Sequence, residues 1–169
     1  MKKIYLDCDG VILDTINKSY IMLKEEGITT EEEVTKFYSN INWEKLIIES
    51  GPINDSINKI KELNKYFEIE ILTHVNTEYE ASVKRKYFVK ELPGINVIAV
   101  PKTIKKADYV NATNAVLVDD YIPNLNYWKE KGGIPIKFSS SGKECSYITI
   151  TDLSELINIF EKNKIKIKE

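Results

Sequence analysis

Two pairs of aspartates carry the side chains whose type and spacing point most directly to chemistry. Asp7 and Asp9 stand one residue apart after a short apolar run, and Asp119 and Asp120 are adjacent after a second one. Residues at positions i and i+2 of an extended segment project to the same side, so Asp7 and Asp9 can share one target. Crowded carboxylates repel one another unless a cation offsets their charge, and Mg²⁺ prefers such hard oxygen ligands. The two pairs therefore predict a Mg²⁺ site.

A hydroxyl group and a lysine follow two further apolar runs. Thr73 offers a hydrogen-bond donor, and Lys102 offers a fixed positive charge. Lys105 and Lys106 are alternatives to Lys102 for the same role. A hydroxyl and an ammonium beside a metal are suited to binding a phosphate dianion. We therefore expect Thr73 and Lys102 to bind phosphate next to the aspartates.

The elements that must bring these residues together alternate between strand and helix. Apolar runs predict strands at 4–6, 67–73, 96–100 and 115–118, with weaker candidates at 134–138 and 147–150. Helical spacing predicts helices at 14–26, 30–38, from 52 to about 63, 78–91, 104–109 and 123–131, and a last helix that begins after residue 152. This order is typical of an α/β fold with a doubly wound, Rossmann-like parallel sheet. Ligands bind beyond the carboxyl ends of the strands in such sheets, where all four groups of residues should meet.

A stretch of helices without a strand interrupts this alternation. We predict that residues 18–65 form a small helical cap insertion and that residues 1–17 and 66–169 form the α/β core. Trp43 lies in a segment, 40–51, that lacks regular periodicity. Its indole is a candidate for stacking on a nucleobase, with Tyr20 and Tyr38 as further candidates. Packing in the core is the alternative role for each of these rings.

Composition and charge exclude several classes of protein. The 169 residues carry 24 basic and 26 acidic side chains, a net charge of −2, so we expect no nucleic acid polymer as a partner. No apolar run approaches the length of a membrane helix, and charged residues interrupt the first apolar stretch, so neither a membrane partner nor a signal peptide is expected. The two cysteines are far apart, which favours the reducing cytoplasm. The basic side chains of the helix at 78–91 are expected on a solvated face; they are Lys84, Arg85, Lys86 and Lys90.

The aspartate motif resembles that of a known family. Residues 7–14, DCDGVILD, are similar to the first motif of phosphatases of the haloacid dehalogenase (HAD) superfamily. The ordered set of Thr73, the lysine and the acidic pair resembles that superfamily's remaining motifs. The small insertion, the PKT at 101–103 and the LVDD at 117–120 look like the 5′(3′)-deoxyribonucleotidase branch.

This resemblance implies a two-step mechanism for a phosphomonoesterase. Asp7 would be the nucleophile that forms an aspartyl-phosphate, and Asp9 the general acid and then base. Mg²⁺ would be held by Asp7, the backbone carbonyl of Asp9 and the carboxylate of Asp120, with Asp119 orienting waters or Lys102. The implied substrate is a small phosphomonoester, most specifically a (deoxy)nucleoside monophosphate. The sequence leaves the oligomeric state open.

Two other functions are compatible with parts of this pattern. The same chemistry could act on a sugar phosphate or another small phosphoester. A receiver-like signalling domain, which accepts a phosphoryl group on an aspartate, also gathers Asp, Thr and Lys on a parallel sheet. Receivers lack an inserted helical cap, however, and place the acidic pair at the first strand, whereas here that pair comes last.

Overall fold

A single six-stranded parallel sheet forms the centre of the fold. The computed structural model describes the backbone of residues 1–166 and the side chains of residues 1–160. The strands are β1 (Lys2–Leu6), β2 (Phe67–Val75), β3 (Asn96–Pro101), β4 (Val116–Asp119), β5 (Ile134–Phe138) and β6 (Ile148–Ile150). They lie in the order β3-β2-β1-β4-β5-β6, and every neighbouring pair is parallel. The predicted doubly wound α/β fold is confirmed.

Helices connect the first five strands, a loop joins β5 to β6, and one helix follows β6. They are α1 (Thr15–Glu25), α2 (Glu31–Asn40), α3 (Trp43–Ser50), α4 (Ser56–Leu63), α5 (Glu78–Glu91), α6 (Lys106–Tyr109), α7 (Ile122–Glu130) and α8 (Glu155–Lys166), with a 3-10 turn at Ile53–Asp55. Within the described chain, no helix is both long and apolar enough to cross a membrane.

Residues 40–51 were expected to be irregular, but the structure shows that they contain helix α3. The Asn42 side chain caps its first turn by accepting a hydrogen bond from the Lys45 amide at 3.0 Å. Gly51 ends it with a φ of +68°, a conformation that favours glycine. Trp43, Leu46 and Ile47 are buried, which is helical spacing in a helix too short for its period to stand out.

The two faces of the sheet bury separate apolar clusters, as the alternation along parallel strands requires. In β1, Ile4 and Leu6 face the larger cluster, while Tyr5 faces the smaller one. The larger cluster takes side chains from α3, α4, α5 and α8, and the smaller one from α7. Helices on both faces leave the carboxyl edge of the sheet as the place where polar side chains can gather.

Hydrogen bonds close the base of the helical insertion. The Asp14 amide donates to the Gly51 carbonyl at 3.1 Å, and the Ile53 amide donates to the Ile12 carbonyl at 2.8 Å. Helices α1 to α3 lie between these points in the chain. Helix α4, which the predicted range 18–65 includes, comes after them and packs against β2. The extent of the insertion stays a prediction, and the closed base indicates a shorter one.

Candidate active site

The loop after β1 fixes Asp7 and Asp9 through its backbone. The Cys8 carbonyl accepts hydrogen bonds from the amides of residues 11–13 at 2.9–3.3 Å, which winds the chain into a tight turn. The side chains of residues 11–13 are fully buried under this turn. The packing of these side chains in the core therefore fixes the backbone of the loop that carries both aspartates.

A buried lysine joins Asp7 to the acidic pair. The Lys106 ammonium donates to Asp7 Oδ1 at 2.6 Å and to Asp119 Oδ2 at 2.7 Å. Burial lowers the pKa of Lys106, but the two carboxylates outweigh it and leave that pKa raised. Lys106 therefore remains an ammonium at neutral pH, 2.6 Å from the predicted nucleophile.

The two members of the acidic pair differ in how their oxygens are used. Besides Lys106, Asp119 accepts hydrogen bonds from the Tyr121 amide at 2.9 Å and from Asn124 Nδ2 at 3.0 Å. The carboxylate of Asp120 accepts none from another residue among residues 1–160. Asp120 is thus the member with oxygens free for a ligand, and Asp119 is the one that holds Lys106.

Gly10 allows the β1 loop to approach this pair. Its φ of +79° favours glycine, and a Cβ there would lie 2.4 Å from Asp120 Oδ2. A larger residue would displace the carboxylate. The close approach explains why the motif needs glycine directly after the second aspartate.

Three carboxylates form a set that fits a divalent cation. One oxygen each from Asp7, Asp119 and Asp120 lie within 4.8 Å of one another. Burial, with repulsion from neighbouring aspartates, raises the pKa of Asp7 well above its ordinary value. Burial and the charge of Asp119 likewise raise the pKa of Asp120 to about 6. The ammonium groups of Lys106 and Lys137 offset only part of this negative charge, and an Mg²⁺ ion with oxygen ligands would offset the rest.

Asp9 belongs to a separate network on the other side of the loop. Its Oδ1 accepts a hydrogen bond from the Thr15 hydroxyl at 2.6 Å, and its Oδ2 accepts one from the Lys84 ammonium at 2.6 Å. Lys84 has no solvent-exposed side-chain surface. The prediction that Lys84 lies on a solvated face is therefore wrong. A signal was present, because Ala81 and Phe88 share its helix face at spacings of three and four residues and both are buried.

The structure places Thr73 and Lys102 differently from each other. Thr73 is fully buried, and its hydroxyl accepts a hydrogen bond from Lys84 at 3.1 Å. Lys102 is exposed at the rim of the cleft, whereas the alternative lysine, Lys106, reaches Asp7. The roles of Thr73 and Lys102 in phosphate binding stay predictions. Lys106 is the first residue of helix α6 and Lys105 is its N-cap. This single turn is too short for periodicity to indicate which of the two lysines points inward.

A cleft of about 500 Å³ opens above these residues, between the carboxyl edge of the sheet and the insertion. Asp7, Asp9, Lys106 and both members of the acidic pair line it together with four aromatic side chains; these are Tyr20, Tyr38, Trp43 and Tyr121. Its volume lies in the range of small-molecule sites.

The aromatic rings of the cleft differ in exposure. Trp43 is only 5% exposed, and its ring centroid lies 4.8 Å from the Lys84 ammonium. Tyr20 and Tyr121 are 55% and 60% exposed. Stacking of a base on Trp43 stays a prediction, but the tyrosines offer far more free ring surface.

The fold is that of HAD-superfamily hydrolases of known structure. No family model and no curated protein matches the chain. Among solved structures, it resembles YfnB of Bacillus subtilis, a candidate HAD hydrolase bound to magnesium, with a TM-score of 0.64 and 12% identity over 94% of this chain and 97% of that one.

Two further solved structures extend the comparison. A HAD phosphatase of Thermococcus onnurineus has a TM-score of 0.63 and 18% identity over 95% of this chain and 98% of that one. The D,D-heptose 1,7-bisphosphate phosphatase of Burkholderia thailandensis has a TM-score of 0.57 and 15% identity over 95% and 98% of the two chains. The feature that these structures share with this chain is the fold.

Proposed function

We propose that this chain is a Mg²⁺-dependent phosphomonoesterase that acts through an aspartyl-phosphate on Asp7. The observation that supports this most strongly is the meeting of Asp7, Lys106 and the acidic pair at one edge of the sheet, with Asp9 two residues after Asp7. The neighbours that are named hydrolases and phosphatases, one of them bound to magnesium, agree with it.

In the proposed first step, an oxygen of Asp7 attacks the phosphorus and the bond between phosphorus and the ester oxygen breaks. Asp9 gives its proton to that oxygen, and an alcohol leaves. In the second step, Asp9 takes a proton from a water molecule that attacks the phosphorus. The acyl phosphate bond then breaks, which releases inorganic phosphate and restores the Asp7 carboxylate.

Lys106 stabilises the charge of this reaction, and a bound metal would add to that stabilisation. Lys106 fixes Asp7 and places a positive charge where the phosphoryl oxygens must lie. We assign it the role for which Lys102 was the first candidate. Mg²⁺, held by Asp7, the Asp9 carbonyl and Asp120, would neutralise phosphoryl oxygens and favour the ionised form of Asp7.

We further propose a (deoxy)nucleoside monophosphate as the substrate. A cleft of about 500 Å³ with exposed tyrosine rings offers aromatic faces for a base beyond the phosphate position. A sugar phosphate is the second candidate, because one structural neighbour is a heptose bisphosphate phosphatase.

A substrate panel tests both levels of the proposal. Purified protein is assayed with nucleoside monophosphates, sugar phosphates and 4-nitrophenyl phosphate, with Mg²⁺ and with EDTA. We expect hydrolysis that requires Mg²⁺ and is fastest with nucleotides. Equal rates across the panel would contradict the nucleotide substrate, and the absence of any hydrolysis would contradict the phosphatase. A phosphoryl group that stays on the protein for minutes without turnover would instead indicate a receiver-like domain.

A further inference from the structure

Lys84 is a buried cation with more acceptors than protons. Its ammonium lies 2.6 Å from Asp9 Oδ2, 2.7 Å from Glu80 Oε1, 3.1 Å from Thr73 Oγ1 and 3.3 Å from the His74 carbonyl. Burial of an ammonium is costly unless hydrogen bonds and charges compensate it. Here two carboxylates, a hydroxyl and a carbonyl do so. The position of the ammonium is therefore fixed from several directions.

The partners of Lys84 are themselves fixed. Glu80, one helical turn before it, is buried and accepts hydrogen bonds from the Asn76 amide at 2.8 Å and from Asn76 Nδ2 at 3.3 Å. The indole of Trp43, from the insertion, covers the ammonium at 4.8 Å. Lys84 thus connects the end of β2, the start of α5 and the insertion to a single oxygen of Asp9.

We propose that Lys84, anchored by Glu80, is a positioning residue that orients the Asp9 carboxyl group for proton transfer. This inference rests on the proposed phosphatase function. The Thr15 hydroxyl holds Oδ1 and Lys84 holds Oδ2, so the plane of the carboxyl group is defined. Proton transfer to the ester oxygen needs hydrogen-bond geometry, and a misplacement of about 1 Å can cost on the order of 100-fold in rate. Lys84 acts through Asp9, whereas Lys106 acts on Asp7 and the phosphate.

The leaving group of the substrate separates this role from a structural one. An alkyl phosphate needs a proton on its departing oxygen, whereas 4-nitrophenolate leaves without one. In Lys84→Met we expect kcat/KM for the best alkyl phosphate of the panel to fall roughly 100-fold more than kcat/KM for 4-nitrophenyl phosphate, because kcat/KM reports the first step alone. The value of kcat includes the second step, in which Asp9 is the base for both esters, and should fall for both. Asp9→Asn should show the same selective loss of kcat/KM.

Two variants complete the design. Glu80→Gln keeps the shape of the Glu80 side chain and removes its charge, so the alkyl phosphate should again lose more than 4-nitrophenyl phosphate, by a smaller factor than in Lys84→Met. This variant tests the proposal even where Lys84→Met does not fold. Lys90→Met removes an exposed lysine of the same helix and controls for a change of helix charge. Equal losses of kcat/KM for the two esters, or no loss, in a folded Lys84→Met or in Glu80→Gln would overturn the proposal. Failure of the phosphatase proposal itself looks different, because the unmodified protein would then show no Mg²⁺-dependent hydrolysis.

Discussion

The Asp9 side and the Asp7 side of the site each contain a buried lysine between two carboxylates, Lys84 and Lys106 respectively. They differ in how many carboxylate oxygens lack a hydrogen-bond donor. On the Asp9 side, protein groups donate to all four carboxylate oxygens of Asp9 and Glu80. On the Asp7 side, Asp7 Oδ2 and the carboxylate of Asp120 have no donor from other residues among residues 1–160.

This difference indicates a division of work. The side with free oxygens is suited to bind a cation, which would supply the missing partner and offset negative charge where a phosphate must bind. The side with satisfied oxygens is suited to hold a proton-transferring group in one orientation. Four predictions test this division.

The largest effect is expected from Asp7→Asn, which removes the nucleophile and leaves both lysines in place. Loss of a covalent nucleophile should lower kcat by at least about 10⁴-fold for alkyl and aryl esters alike. Steady-state kinetics at saturating Mg²⁺ measure it. Residual activity near that of the unmodified protein would mean that Asp7 is not the nucleophile.

A smaller but still large effect is expected from Lys106→Met. It removes charge stabilisation from the phosphoryl group, so kcat/KM should fall by about 10²–10³-fold for both ester classes. The equal loss contrasts with the selective loss expected of Lys84→Met. Lys102→Met, at the exposed rim, is the comparison variant and should lose less; the reverse order would return the phosphate-binding role to Lys102.

Mg²⁺ should stabilise the fold in a manner that depends on pH. The pKa of Asp120 in the folded protein, about 6, is raised from 3.8, so without metal its ionisation lowers stability as pH rises through this interval. A fixed Mg²⁺ concentration of 100 times the Kd at pH 7.5 should add about 2.7 kcal/mol to the free energy of unfolding at pH 7.5. The same concentration should add less at pH 5, where protons compete with the metal. Thermal melts with and without Mg²⁺ measure the increment. Equal increments at both pH values, or an unchanged increment in Asp120→Asn, would contradict the metal site.

The smallest effect is expected from Thr15→Val, which removes only the donor to Asp9 Oδ1. One hydrogen bond to a charged group corresponds to about tenfold in kcat/KM for an alkyl phosphate, with little change in kcat/KM for 4-nitrophenyl phosphate. Thr15→Ser keeps the hydroxyl and should restore the rate. If both variants lose activity equally, the methyl group of Thr15 matters and not its hydrogen bond.

How much the sequence predicts differs between the strand ends and the helices. The location of Asp7 and Asp120 could be predicted, because parallel strands end at one edge of the sheet and a residue directly after a strand must lie there. Lys84 and Lys106 lie on helices, where the direction of a side chain depends on packing that a short pattern does not define. Helix α3 was missed for a related reason, since its eight residues contain barely two turns.

Which helical lysines point into the site could therefore be seen only from three-dimensional contacts. A lysine side chain is predicted to be exposed unless its ammonium is paired with carboxylates. Only the structure shows the carboxylates that lie beneath the helix. For Lys84 these are Asp9 and Glu80, of which only Glu80, four residues earlier, is close in sequence. Asp9 is 75 residues away, and no local pattern connects it to Lys84.

The most direct test of the account is to trap the phosphoryl group on Asp7. Asp9→Asn lacks the base for the second step but can release 4-nitrophenolate in the first. We expect acid-quenched Asp9→Asn, mixed with 4-nitrophenyl phosphate and Mg²⁺, to carry one phosphoryl group on the peptide that contains Asp7, and the double variant with Asp7→Asn to carry none. A phosphoryl group on another residue, or turnover in Asp9→Asn without any labelled peptide, would contradict nucleophilic attack by Asp7.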